Sequence, residues 1–154
     1  MRQSQEMPTS KITVVRWTDE DGASQSLGSP MHDSRSPYVE SFWLGVLGPS
    51  TTMLLRHLNN ELDHSPVGFV LHYEELAVQL GIRGTGKQSP FTRSMQRLFQ
   101  FDMARMVNPT RMMVRQAVPT LSRRHVAKLP DPLRRRHDYF LSQITVGQRA
   151  TESA

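Results

Sequence analysis

Residues 68–101 contain the most informative pattern of secondary structure in the sequence. A short apolar run at 69–71 predicts a strand, and the apolar spacing of the next residues predicts a helix over 73–80. A glycine-rich turn follows, and the pair Ser89-Pro90 is typical of a helix start, with a capping serine and a proline in the first turn. The segment therefore predicts a strand, a helix, a turn and a second helix that runs to about residue 101.

The second helix is predicted to have one apolar and one polar, basic face. Phe91, Met95, Leu98 and Phe99 recur at helical spacing and are expected to point into the core. The outer face is expected to carry side chains that hydrogen-bond to base edges or phosphates, namely Thr92, Arg93, Gln96, Arg97 and Gln100. We therefore expect this helix to contact nucleic acid, the alternative being an ordinary amphipathic helix with a polar surface.

The turn at 81–87 has the spacing Gly-x-x-x-x-Gly-Lys of a nucleotide-binding loop. Such a loop requires a preceding buried strand and a Ser or Thr directly after the lysine, which holds the magnesium ion. Here a predicted helix precedes the turn, and Gln88 follows the lysine. Nucleotide hydrolysis is therefore not expected, and Arg83 and Lys87 are instead predicted to meet backbone phosphates from a flexible loop.

Residues 103–116 predict a β-hairpin, because two short strand-like runs flank a turn at 108–110. Alternation along the second strand places Arg111, Met113 and Arg115 on one side, and Arg105 is available on the first strand. A hairpin with these arginines is suited to binding phosphates.

The net charge of +5 is distributed unevenly. Residues 81–141 contain thirteen Lys/Arg against three Asp/Glu, whereas residues 37–80 contain one against five. Helices predicted at 121–129 and 131–142 bring further arginines, including Arg123 and Arg124. This polarity suits a polyanion on one side and a different partner on the other, although a basic surface kept for solubility is the simpler alternative.

The ends of the chain are expected to be less ordered. Residues 1–36 are rich in Ser, Gln, Asp, Gly and Pro and predict a largely disordered segment, in which the apolar island 11–17 either adds a strand or folds on a partner. Residues 37–63 predict two helices whose apolar stripes either support the core or form a homodimer or protein-partner surface. Residues 143–154 are expected to be a flexible tail.

Other classes of function find little support. His57, Glu61 and His64 have a helical spacing that could gather a divalent metal, but a solvated face is the simpler interpretation and no metal site is predicted. No nucleophile lies in a catalytic pattern with a base, so we expect neither an enzyme nor a cofactor. No apolar run is long enough to span a bilayer, and we expect a cytoplasmic, nucleoid-associated protein without membrane contact.

Residues 68–118 resemble the winged helix-turn-helix superfamily. The likeness rests on EELAVQLGI at 74–82, on the serine-capped helix with Arg93, Gln96 and Arg97, and on the hairpin at 103–116. It implies a mainly α fold with a small β wing, in a domain at 37–142 with accessory helices at both ends. The second helix would enter the major groove, and Arg105, Arg111 and Arg115 would be wing contacts. The whole chain also resembles small actinobacterial proteins, a likeness that implies no particular function.

Together these features predict a protein that binds double-stranded DNA and acts as a transcription regulator or a replication or nucleoid accessory. Two alternatives stay open: a protein-interaction module on the same scaffold, and an RNA- or ribosome-associated factor. The candidate DNA-binding residues are Arg83, Lys87, Thr92, Arg93, Gln96, Arg97, Gln100, Arg105, Arg111, Arg115, Arg123 and Arg124.

Overall fold

A four-stranded mixed sheet organises the larger part of the molecule. The computed structural model describes residues 11–18, 30–84 and 86–152, and the chain divides into two units, Met1–Thr120 and Leu121–Ala154. The sheet has the strand order β3-β1-β5-β4, and β2 and β6 form a separate two-stranded ladder. The strands are β1 (Lys11–Arg16), β2 (Met31–Asp33), β3 (Phe69–His72), β4 (Ala104–Asn108), β5 (Arg111–Val114) and β6 (Ala117–Pro119).

β1 is a central strand, antiparallel to β3 on one side and parallel to β5 on the other. Ile12 and Val14 are buried, so the apolar island of the sequence adds a strand. A strand this short is stable only when neighbours pair with it and cover its apolar face. The prediction of a largely disordered segment at 1–36 is therefore wrong for the stretches that form β1 and β2, while residues 1–10 and 19–29 lie outside the described residues.

The predicted fold class, a mainly α winged helix-turn-helix with a small β wing, is wrong. The hairpin is present as β4 and β5, but β5 also pairs in parallel with β1, where Val14 lies opposite Met112. The hairpin is thus half of a mixed sheet, and the fold is mixed α/β. Periodicity within the hairpin could not reveal this pairing, because its other partner lies far away in the sequence.

One helix begins at Pro90, as the pair Ser89-Pro90 predicts. Helical backbone starts at Pro37 and passes through a π-helical turn at Val39–Trp43. The α-helices are α1 (Leu44–Leu47), α2 (Pro49–His64), α3 (Tyr73–Gln79), α4 (Pro90–Gln100), α5 (Arg123–Val126) and α6 (Asp131–Glu152).

The two helices of the second unit differ from their predicted lengths. α5 is much shorter than the predicted helix at 121–129. α6 continues past Ser142 into the stretch expected to be a flexible tail. No proline follows Ser142, and Gly147 alone costs a helix only about 1 kcal/mol. The expected helix end was therefore wrong.

The core of the first unit lies between the sheet and helices α2 and α4. Because the apolar stripe of α2 is completely buried, it supports the core, which was one of its two predicted roles. The fully buried side chains here include Leu54, Leu55, Leu58, Leu62, Phe91, Met95, Leu98 and Met112. In the residues that the structure covers, every helix is too short or too polar to cross a membrane.

Candidate nucleic-acid interface

α4 exposes a single polar stripe along its length. Arg93, Gln96, Arg97 and Gln100 are exposed, whereas Phe91, Met95 and Leu98 on the opposite side are completely buried. For these residues the predicted division of the helix into two faces is confirmed. The exposed stripe can contact a ligand without disturbing the core.

Thr92 does not belong to this stripe, and its expected place on the outer face is wrong. Only 5% of the residue is exposed, and its Oγ1 donates a hydrogen bond of 2.7 Å to the Gly86 carbonyl. Its backbone N–H donates to the capping Ser89 Oγ at 3.2 Å. Thr92 therefore ties the basic loop to the first turn of α4, which places Lys87 beside the N-terminus of the helix.

Arg97 is exposed but engaged. Its Nη1 donates a hydrogen bond of 3.0 Å to the carbonyl of Leu47, the last residue of α1. The guanidinium of Arg97 also lies close to Gly48, where φ is +84°. A Cβ added at Gly48 would lie only 2.8 Å from Nη1 of Arg97. Arg97 therefore joins α1 to α4. Only its remaining N–H groups are available to hydrogen-bond a ligand.

Two of the three hairpin arginines are held by Asp102. Arg105 makes a bidentate pair with this carboxylate, at 2.8 and 3.1 Å. The side chain of Arg115 is only 7% exposed, and its Nε donates to the Asp102 carbonyl at 2.7 Å. The expectation that Arg115 projects outward is therefore wrong, whereas Arg111 is exposed and makes no ion pair with any described residue.

The arginines nearer the N-terminus are likewise paired with carboxylates. Arg35 and Arg16 both bind Asp63, and these bonds hold the pKa of its carboxyl below the usual range. The bonds of Arg35 to Asp33 and Asp63 raise the pKa of Arg35. The Nη2 atom of Arg56 lies 3.5 Å from the Oε2 atom of Glu40. These pairs link β1, the start of the helical region and α2, so their charges contribute to the structure of the unit and little to its outward field.

A second group of cations in the first unit makes neither an ion pair nor a side-chain hydrogen bond with any other described residue. Its members are exposed, and apart from one lysine at the start of β1 they lie between the turn after α3 and β5. The group consists of Lys11, Arg83, Lys87, Arg93 and Arg111. Three of these cations, Arg83, Lys87 and Arg93, lie in the loop at 83–89 and the first turn of α4, whereas Lys11 and Arg111 lie on β1 and β5.

The second unit carries its own basic side chains. Arg123 and Arg124 are exposed on α5, which Ser122 caps by accepting a hydrogen bond of 3.3 Å from the backbone N–H of His125. Lys128, Arg135 and Arg136 are also exposed.

The residues considered as metal ligands do not form a metal site. Across the described ranges, no three His, Cys, Asp or Glu side chains are placed to hold a metal ion. His57 and Glu61 instead line a small polar cavity of about 220 Å³ together with His72 and Glu75.

Sequence reasoning missed two residues that shape this region, Trp17 and Asp102. Trp17 packs against Arg105 and Arg115, with the Cζ of Arg105 lying 4.8 Å from its ring centroid. Asp102 adopts a left-handed conformation with φ of 61°. An Asp between an amphipathic helix and a strand is a local signal for such a turn, but only the folded chain shows which arginines it binds.

Comparisons with protein-family models, curated proteins and solved structures give no match.

Proposed function

We propose that the protein binds nucleic acid, most simply double-stranded DNA, through the loop at 83–89 and the exposed stripe of α4. It would act as a transcription regulator or as a replication or nucleoid accessory. The observation that supports this function is the uncompensated charge: Arg83, Lys87 and Arg93 are exposed, and none pairs with a carboxylate in the described residues. Free cations in one loop and in the first turn of the helix that follows it favour a polyanion, and the binding of a nucleic acid then releases counterions from its phosphates.

The side chains of α4 add the capacity to distinguish bases. Arg93, Gln96 and Gln100 follow one another at i, i+3 and i+7, so they share a line along the helix. Arginine recognises guanine and glutamine recognises adenine through paired hydrogen bonds. The N-terminus of α4, beside Lys87, adds a partial positive charge that favours a phosphate.

A salt-titrated binding assay on duplex DNA of random sequence tests this proposal. We expect the affinity to fall steeply as salt is added, and Arg93→Ala to reduce the slope of log K against log salt by about one. Lys11→Ala is the matched control, because it also removes one exposed positive charge but from the start of β1. If the two variants weaken binding equally, the effect is one of net charge and the proposed surface is refuted.

Duplex RNA and single strands, run as parallel ligands, distinguish the alternatives. Preferential binding to duplex DNA is expected, because an α-helix enters the major groove of B-form DNA and not the narrow one of A-form RNA. Equal or tighter binding to RNA would instead support an RNA- or ribosome-associated factor. If the protein binds neither duplex DNA nor duplex RNA nor single strands, the proposed function is refuted and a protein-interaction module is favoured.

A further inference from the structure

β3 is an edge strand of the four-stranded sheet. It pairs with β1 on one side, and no strand of the described residues pairs with its other side. Proteins commonly block an exposed edge strand with a lysine, another charged side chain or a proline. The sequence of β3, Phe-Val-Leu-His, contains no proline, lysine, arginine or carboxylate. β3 is therefore open to pairing with an additional strand.

The backbone of β3 presents an ordered set of hydrogen-bonding groups at its free edge. The N–H of Thr13 donates to the Thr110 carbonyl at 2.9 Å, so the backbone of Thr13 faces the hairpin and not β3. Thr13 lies opposite Val70, and these two residues therefore form a non-hydrogen-bonded pair of the antiparallel ladder. The same alternation places Lys11 and His72 in a second pair of this kind. The N–H and C=O of Val70 and the N–H of His72 consequently point away from β1.

A cavity extends along this free edge. All four residues of β3 line a cavity of about 220 Å³. Because successive side chains of a strand point to opposite faces of the sheet, a cavity over one face alone would be lined by alternate residues. β1 occupies the paired edge of β3. The cavity therefore follows the unpaired edge, where the free backbone groups lie.

Two helices form the walls of this cavity. α2 contributes His57 and Glu61, and α3 contributes Glu75, Leu76 and Gln79. The two polar residues on each helix are four positions apart, so each helix presents its pair on one face. A chain segment that enters the cavity thus meets backbone groups on one side and mostly polar side chains on the other.

The fixed charges of the cavity are all negative. Its lining contains Glu61 and Glu75 but no Lys or Arg. The ion pairs found among the described residues all involve other carboxylates. Lys11 lies opposite His72, but on the strand across the paired edge of β3. The two uncompensated carboxylates favour a cationic ligand and disfavour a nucleic acid.

We propose that the free edge of β3 binds an extended segment of a partner protein that carries a Lys or Arg. The segment adds a strand to the sheet through hydrogen bonds to the backbone of Val70 and His72. Its basic side chain enters the cavity beside Glu61 and Glu75. In this mode of recognition the main-chain bonds supply affinity and the side-chain contacts supply specificity. The proposal does not depend on nucleic-acid binding, because no residue of the loop at 83–89 or of α4 lines the cavity.

An NMR titration of the full-length, isotopically labelled protein with synthetic peptides tests the binding. The probe is the capped peptide Thr-Val-Thr-Lys-Thr-Val-Thr. We expect it to shift the amide signals of Val70 and His72 in a saturable way. A peptide with glutamate in place of the lysine is expected to bind roughly tenfold more weakly or worse, because like charges then meet in the cavity. A backbone N-methylated lysine peptide keeps the charge but lacks the main-chain donors, and it is expected not to bind.

Val70→Pro tests the backbone pairing. The substitution removes an N–H at the free edge and none of the bonds to β1, and proline is tolerated at such an edge position. It is expected to weaken binding of the lysine peptide roughly tenfold, through the loss of one hydrogen bond. The matched variant Val70→Thr keeps the N–H and the branched side chain and is expected to bind normally. Thermal melting of each variant distinguishes lost binding from lost folding.

Neutralising the carboxylates tests the charge contact, and it does so even if Val70→Pro does not fold. Glu75→Gln is expected to weaken binding of the lysine peptide roughly threefold or more. The combination of Glu61→Gln and Glu75→Gln is expected to weaken it further. Glu74→Gln is the matched control, because Glu74 is exposed on the same helix but does not line the cavity.

The proposal fails in any of three cases. If the lysine peptide gives no saturable shift at β3, the edge does not accept a strand. Equal affinities for the lysine and glutamate peptides would show that the two carboxylates do not select the ligand. Normal binding of the N-methylated peptide would indicate a contact between charges without strand pairing.

Discussion

The guanidinium carbon of Arg115 lies 4.0 Å from the centroid of the Trp17 ring. Trp17 directly follows β1, and its backbone N–H donates to the Val114 carbonyl at 2.9 Å. Arg115 also donates a hydrogen bond to the Asp102 carbonyl in the turn after α4. The contact therefore joins the N-terminal strand, the hairpin and the turn after α4, which makes this end of the hairpin part of the structural framework.

Arg115→Ala is expected to destabilise the protein by about 2 kcal/mol or more, because it removes a desolvated cation–π contact and leaves a carbonyl without its donor. Arg111→Ala, on the same strand region but exposed, is expected to cost less than about 0.5 kcal/mol. Urea unfolding of both variants measures the difference. If both variants lose the same free energy of unfolding, the contact between Arg115 and Trp17 does not add to stability.

Asp102→Asn is expected to release Arg105 for phosphate binding. Asparagine tolerates the left-handed backbone at this position, where φ is 61°, so the turn is retained. If the protein binds nucleic acid as proposed, the slope of log K against log salt should steepen by about one for the variant. Repeating the change in an Arg105→Ala background is the control, and a gain that persists there would contradict the explanation.

Gly68→Ala is expected to be far more damaging than Gly81→Ala, although both glycines have positive φ. At Gly68 an added Cβ would lie 2.8 Å from the Val14 carbonyl oxygen, in the neighbouring strand, whereas at Gly81 it would meet nothing within 4 Å. We expect a cost of about 1 kcal/mol at Gly81, from conformation alone, and clearly more at Gly68. Thermal unfolding measures both, and similar melting temperatures would contradict the close approach.

Burial raises the pKa of Tyr73 to about 12, and its ring packs edge-on against Phe91 with centroids 5.9 Å apart. The pKa of Tyr73 in the folded protein lies above the value of about 10 in the unfolded chain, so burial of the protonated phenol contributes to stability. This contribution is fully present below pH 10 and is lost as the pH rises towards 12. Absorbance at 295 nm should show a late-titrating phenol. Tyr73→Phe should remove it and Tyr139→Phe should retain it, and the reverse result would refute the assignment.

Sequence reasoning succeeded where the decisive interactions are local. Ser89 caps α4 by accepting a hydrogen bond from the N–H of Thr92, three residues away, so the start of this helix could be predicted from its own sequence. The apolar spacing of Phe91, Met95 and Leu98 likewise identified the buried face. Where an interaction closes within one helical turn, the neighbouring residues are sufficient to specify it.

The candidate site was predicted only in part, because several of its side chains are engaged by distant groups. Arg97 binds a carbonyl of α1, and Arg115 packs on the ring of Trp17, at the other end of the first unit's sequence. Nothing in the residues around either arginine indicates these partners. Their availability to a ligand therefore depends on the folded chain and not on their residue type.

By itself the sequence determined the start of α4 and, except for Thr92, the two faces of this helix, because these follow from hydrogen bonds and periodicities of near neighbours. The concentration of positive charge in residues 81–141 is likewise a property of the sequence alone. The tertiary structure alone decided that β1 lies between β3 and β5, and that Asp63 and Asp102 hold the nearby arginines. Strand pairing and ion pairing join groups remote along the chain, and their geometry exists only once the whole unit has folded.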